Sequence, residues 1–271
     1  MNRFPLTRFI PPLSACLVLL LGVNAGHAAG NMLIGQWLVT GVKTNTSTMR
    51  TTRYHYDDAR LFGRVFNFST DRISDNTPEN ETCTSPVLKH SRMQAAELWG
   101  KSMAVTFDDP PPSPTHYELP VAHHSSVDVI FITCKEGLYG GSLGMPKGIE
   151  GAWLLRLGDN QLALRWYDET ILVLTKVTPA QKPAASFNCA KAGTETEKAI
   201  CGSIALAAYD RSLAGAYKLR LDFLKEEGEA GPLQQFKQAQ KAWLAKRDAC
   251  RSDAECLEKS MQDRLNELLE R

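Results

Sequence analysis

The stretch QAQKAWLAKRDAC (Gln238–Cys250) sets a Trp, an Arg-Asp pair and a Cys close together. Gln240, Trp243 and Arg247 fall at i, i+3 and i+7, the spacing of one face of an α-helix. Upstream, Leu233 and Phe236 join that face, and Leu244 widens it. The break EGEAGP (Glu227–Pro232) precedes it, with Pro232 suited to the first helical turn. The stripe predicts a helix whose Trp243 is a core anchor, on the face that meets the neighbouring helix. Arg247 is the expected partner of Asp210 across a helical hairpin, and Asp248 of Arg264. On this reading the stretch is a structural frame.

The same period runs outward in both directions. TETE (Thr194–Glu197) is a capping box before a short helix. Leu206, Tyr209, Leu213, Ala216, Tyr217 and Leu224 recur at helical spacing. SDAE (Ser252–Glu255) caps a last helix carrying Leu257, Met261, Leu265 and Leu268. A helical module of roughly 80 residues is marginal on apolar burial alone. Its four cysteines, Cys189, Cys201, Cys250 and Cys256, make sense as staples. Four cysteines allow three connectivities. An antiparallel hairpin brings Cys201 beside Cys250 and leaves Cys189 for Cys256. The local alternative, Cys189–Cys201 with Cys250–Cys256, stays open.

Before the linker TPAQKPAASFN (Thr178–Asn188) the period changes. LIGQWLVTGV (Leu33–Val42), RLFGRVFNF (Arg60–Phe68), VDVIFITC (Val127–Cys134), AWLLRL, QLALRWY and TILVLTKV are short and rich in β-branched and aromatic residues, which reads as strands. The turns GDN and DE join the last three into a meander. Such a chain of antiparallel strands manages its edges by curling into a barrel or sandwich. FDDPPPSPTH (Phe107–His116) is a proline-stiffened loop. Cys83 has Cys134 as its partner in this half, closing a loop of roughly 50 residues that stabilises by about 4 kcal/mol in the chain-entropy model.

The first 28 residues carry Arg3 and Arg8, an apolar run from about Leu13 to Val23, and small residues at Gly26 and Ala28. This is the pattern of a cleaved signal peptide, too short for a membrane span. Without Arg3 and Arg8 the charge balance is 29 basic to 30 acidic residues. Neither half has the basic footprint of nucleic-acid binding or of strong attraction to anionic lipid. Six remaining cysteines behind a signal peptide point to disulfides in an oxidising compartment, periplasmic or extracellular.

FNCAKAGTETEKAICGSIALAAYDRSLAGAY (Phe187–Tyr217) and QKAWLAKRDACRSDAECLEKSMQDRLNEL (Gln240–Leu268) together resemble the LprI-like lysozyme-inhibitor domain. The resemblance rests on Glu197, Cys201, Leu206, Asp210, Leu213, Tyr217, Gln240, Trp243, Arg247, Asp248, Cys250, Cys256 and Arg264. It implies inhibition of lysozyme or a related cell-wall hydrolase. The residues that carry it are the frame residues, not an inhibitory loop. In the first half, Gly35-x-Trp37 is similar to the start of lipocalin-like barrels over three residues.

Several patterns carry the letters of catalytic or metal-binding chemistry. GGSLG (Gly140–Gly144) fits the hydrolase elbow G-x-S-x-G, which needs a helix after the Ser. MPKGIEG follows instead, and all six histidines precede Ser142. The loop Lys135–Gly148 reads better as a projection offering Lys135, Tyr139, Ser142 or Lys147 to the paired carboxylates of a carbohydrate-cleaving cleft. His123-His124, Asp57-Asp58 and Asp108-Asp109 are adjacent pairs with the character of turns. No cofactor, metal or catalytic set is expected.

The expectation is thus an α+β protein of two domains. A β-barrel or sandwich (29–177) is followed, across the linker 178–188, by a disulfide-stapled helical domain (189–271). It is expected to be a binding protein rather than an enzyme. The expected partner is a lysozyme-type hydrolase or another envelope protein. A small-ligand carrier of lipocalin type and an envelope adaptor or immunity-type protein are the alternatives.

Overall fold

The computed structural model describes residues 32–48, 51–103, 111–140, 143 and 148–269. The expected signal peptide and Asp108-Asp109 lie outside them. In the first half a single antiparallel sheet is built from β1 (Gly35–Lys43), β2 (Val65–Phe68), β3 (Arg72–Asp75), β4 (Thr82–Thr84), β5 (Val87–Gln94), β6 (Ser126–Cys134), β7 (Gly137–Leu138), β8 (Trp153–Gly158), β9 (Gln161–Arg165) and β10 (Ile171–Lys176). The strand order is β4-β3-β2-β1-β10-β9-β8-β6-β5, with β7 paired to β6. The meander β8-β9-β10 is present, and β10 pairs with β1.

Successive side chains of a strand point to opposite faces. On β10, Leu172 and Leu174 enter one apolar cluster with Trp37, Val39 and Phe66, while Ile171 and Val173 enter a second with Trp99 and Trp153. Strands β9 and β8 divide in the same way, with Leu162, Leu164 and Leu154 on one side and Ala163, Trp153 and Leu155 on the other. Strands covered on both faces read as near-continuous apolar runs. That is why AWLLRL and TILVLTKV lack strict alternation. The second face is covered by α1 (Ala95–Ser102) and by Tyr117 and Leu119. Helix α1, the eight-residue strand β5 and the short strands β3, β4 and β7 were not foreseen from the sequence.

The sheet curls until β4 reaches the end of β6. Cys83 and Cys134 are bridged there with their Cα atoms 5.3 Å apart. Beside the bridge the Lys135 N–H donates to the Thr84 carbonyl at 3.0 Å. The expected strand Arg60–Phe68 begins only at Val65. Ahead of it the amides of Leu61 and Phe62 donate back to the Asp58 carbonyl at 3.0 and 2.8 Å, and Gly63 turns the chain with φ +80°.

The second half holds α2 (Glu195–Gly202), α3 (Ile204–Glu226), α4 (Ala230–Asp248) and α5 (Ala254–Leu269). Thr194 and Glu197 close a capping box on α2, and the Asp253 carboxylate caps α5 by accepting from the amides of Glu255 and Cys256. The core lies between α3 and α5, where Leu206, Tyr209, Leu213, Leu257, Met261 and Leu265 are buried together. Helix α4 leans on it from outside. Leu233, Phe236, Gln240, Trp243, Leu244 and Arg247 are its half-buried residues, and no residue of α4 is fully buried. Trp243 therefore fastens an outer helix rather than anchoring the core. Its indole N–H donates to the Ser260 carbonyl of α5 at 3.2 Å.

The helical disulfides follow the local alternative. Cys189 pairs with Cys201 and Cys250 with Cys256, so Cys201–Cys250 and Cys189–Cys256 are overturned. At the end of α4 the Asp248 carbonyl is met by the Thr196 hydroxyl of α2 at 3.5 Å. Cys201 lies five residues further along α2, about 7.5 Å away along the helix axis. The turn at Cys189–Lys191 brings Cys189 there instead. Two expected ion pairs are also replaced. The Asp210 carboxylate accepts from the Ser186 amide at 2.6 Å, and Arg247 pairs with its neighbour Asp248 at 2.7 Å. Buried Arg264 donates to Gln240 at 2.9 Å and pairs with Glu267 at 2.6 Å.

Candidate functional site

The segment 178–188 has neither helix nor strand, yet it is tied down along α3. Besides the Ser186–Asp210 bond, Arg211 donates to the Ala184 carbonyl, and Ala185 and Phe187 pack on the helical core. The seam between the halves is formed by the loop before β2, the turn after β3, and helices α3 and α5. Arg64 is fully buried in it. Its guanidinium carbon stands 3.3 Å from the centre of the Tyr209 ring, and Nη2 donates to Ser212 Oγ at 3.0 Å and to the Phe62 carbonyl at 3.2 Å. Burial pulls the Arg64 pKa down to about 10. The Tyr209 hydroxyl donates to the Asn76 carbonyl at 2.6 Å, and Asn76 Nδ2 donates to Glu258 of α5 at 3.1 Å. Burial raises the Glu258 pKa, opposed by that hydrogen bond and by Arg64. This seam holds α3 in a fixed place against the sheet.

Three carboxylates meet a set of aromatic donors at β3, β4 and the turn between them. Tyr139 donates to Asp75 at 2.7 Å, Tyr54 and Trp166 donate to Glu79, and Tyr167 donates to Glu81. Burial pushes the Asp75 pKa up to about 6, against hydrogen bonds from Thr77 and Tyr139 that lower it. Every carboxylate here is matched to a buried or half-buried donor. The chemistry of the set is that of a polar clasp holding the β3–β4 hairpin on the curl, not of a cleft awaiting substrate.

Of the candidate loop, Lys135 is exposed in the turn between β6 and β7. Tyr139 is buried and its hydroxyl is engaged by Asp75, so it is not presented outward. Ser142 and Lys147 lie outside the described residues. His123 and His124 stand edge to face at 4.6 Å in a turn. Asp57 and Asp58 serve local loop bonds to Val42, His55 and Arg60. Among the described residues no group of three or more His, Cys, Asp or Glu side chains is placed to hold a metal ion. The frame residues named by the sequence are brought together as pairs: Gln240 with Arg264, Tyr217 stacked on Phe236 at 5.0 Å, and Arg247 with Asp248 beside Trp243. They build the module rather than a site.

The sequence reading missed the surface that the frame displays. Ala208, Ser212, Gly215 and Leu219 of α3 line a groove of about 310 Å³ with Phe62 and Leu269. Leu219 is 71% exposed, Phe223 46%, Phe62 38% and Leu269 36%. Leu219 and Phe223 are four residues apart and off the Leu206–Leu224 stripe. That spacing was the available signal, since an apolar pair off the buried face of a helix has to lie elsewhere. Phe62 carries no such signal, because its place beside α3 depends on the seam. No match to a curated protein or to a solved structure was found for the chain. Its C-terminal region, residues 188–268, matches the family model of the lysozyme inhibitor LprI.

Proposed function

We propose that this protein is a periplasmic or secreted inhibitor of a lysozyme or related cell-wall hydrolase, acting by occlusion of the enzyme's cleft. The observation that carries the reading is the family match over residues 188–268. Three disulfides support an oxidising compartment. Among the described residues no helix is long and apolar enough to cross a membrane. The lipocalin-type reading loses its main support, because Trp37, Val39, Phe66, Leu164, Trp166 and Leu172 fill the curl where a ligand would sit.

The test is a titration of the oxidised chain from Ala29 onward into chicken-type, goose-type and invertebrate-type lysozymes acting on peptidoglycan. Saturable inhibition of at least one enzyme is the expected result. Full activity of all of them, with the protein in large excess, removes the inhibitor reading and leaves an envelope adaptor to be sought by pull-down.

A further inference from the structure

We propose that the outward ridge of α3, made of Leu219, Arg220 and Phe223, is the element that engages the hydrolase, with Arg220 aimed at the carboxylates of its cleft. The proposal rests on the inhibitor reading and names the surface that reading lacks.

Three observations lead to it. First, among the described residues of the helical half the most exposed large apolar side chain is Leu219, and Phe223 stands beside it one turn on. Exposed apolar side chains grouped this way mark interaction surfaces more often than scattered ones do. The ridge continues into the groove bounded by Phe62 and Leu269, so a partner finds both a projection and a hollow beside it.

Second, the cations along this face are engaged elsewhere, except Arg220. Asp222 is claimed by Lys218 at 2.7 Å and Lys225 at 3.0 Å. Arg211 is turned to the Ala184 carbonyl. Arg220 is paired with no carboxylate among the described residues; its guanidinium carbon lies 5.0 Å from the centre of the Phe223 ring. An arginine resting on an aromatic face keeps its donor fork open to a carboxylate, and Arg and aromatic residues are the usual anchors of tight interfaces. An enzyme that cleaves a glycan through two facing carboxylates presents the complementary charge at the bottom of a cleft.

Third, the ridge is held rigidly. The seam through Arg64, Tyr209 and Ser212 fixes α3 on the sheet, and a pre-positioned surface binds with a smaller ordering cost. By contrast, among the described residues of the loop that begins at Lys135, Lys135 is exposed and the aromatic residue Tyr139 is buried.

The experiment compares Arg220→Glu, Arg220→Gln and the double variant Leu219→Ala/Phe223→Ala with the parent chain. Lys241→Glu, on the exposed face of α4, is the control. Each full chain is titrated into a lysozyme that the parent inhibits, and its thermal midpoint is recorded. Arg220→Glu and the double variant are expected to raise the inhibition constant roughly tenfold or more, at an unchanged thermal midpoint. Arg220→Gln should weaken inhibition less and flatten its dependence on salt. Lys241→Glu should change it by less than about twofold. If the parent inhibits and the α3 variants inhibit equally well, the ridge is not the binding element and the inhibitor reading stands without it. If the parent inhibits nothing, both fall.

Discussion

The central strands of the sheet and the helices of this protein treat apolar side chains in opposite ways. Strands β8, β9 and β10 are covered on both faces, and two aromatic-rich clusters take up nearly every large side chain they carry. The helical half keeps one core between α3 and α5, and α4 has no fully buried residue. It also leaves Leu219 and Phe223 in solvent. The sheet is built to be filled, and the helices are built to be held. A small helical core is held by local disulfides and by the seam. Its outer surface is therefore free of the demands of folding, and that is where a recognition surface fits.

The contrast is most open to attack through the disulfides. Replacing both Cys83 and Cys134 by Ala should cost about 4 kcal/mol, because that bridge spans 51 residues. Replacing Cys250 and Cys256, which are 6 residues apart, should cost about 2 kcal/mol. Urea unfolding of the two variants measures the difference. A larger loss from the Cys250–Cys256 pair would mean that the helical half, not the curl of the sheet, limits stability.

A second test concerns the polar clasp. Unfolded, Asp75 titrates near 3.8; folded, near 6. As pH rises between these values the unfolded chain releases its proton first. Stability contributed by protonated Asp75 is therefore full below about pH 4, falls toward pH 6 and is level above it. Asp75→Asn should remove that fall, about 2–3 kcal/mol, while the Glu258 shift, which has the same sign, remains. Urea midpoints from pH 4 to 7 give the slope. An unchanged slope in the variant would show that Asp75 is not the group responsible.

The smallest effect sharpens the comparison at the seam. Tyr209→Phe removes only the hydroxyl that donates to the Asn76 carbonyl, and should cost about 1 kcal/mol. If the two halves unfold together, one transition moves as a whole. If they unfold separately, only one of two transitions should shift.

The fold was legible where a residue pattern has one physical meaning. The six residues read as the inner stripe of α4 are its six half-buried residues, because period and burial are the same fact for an outer helix. The meander was legible because its turns are short and its strands strongly apolar. Helix α1 was not, because AAELWGKS (Ala95–Ser102) is a short helix whose place is set by Trp153 and Tyr117, far away in sequence. Cysteine pairing was legible in the first half, where one partner existed. In the second half it depended on which end of α2 carries Cys201 and on the turn that brings Cys189 back to it, which spacing leaves open. The ridge was hidden for a related reason. Leu219 and Phe223 look like core residues until the rest of the helix has found its core elsewhere.

Gly63 carries a further consequence. It turns the chain at φ +80°, and a Cβ placed on it would stand 3.0 Å from the Cβ of Ala208 on α3. The backbone at Gly63 thus leaves no room for a side-chain atom beside Ala208. The contact acts as a spacer gauge. The helical module cannot be grafted onto another scaffold, or this sheet given another helix, unless both sides of the joint are kept small. The contacts of Arg64 and Tyr209 that fix α3 thus depend on the close backbone approach that Gly63 allows.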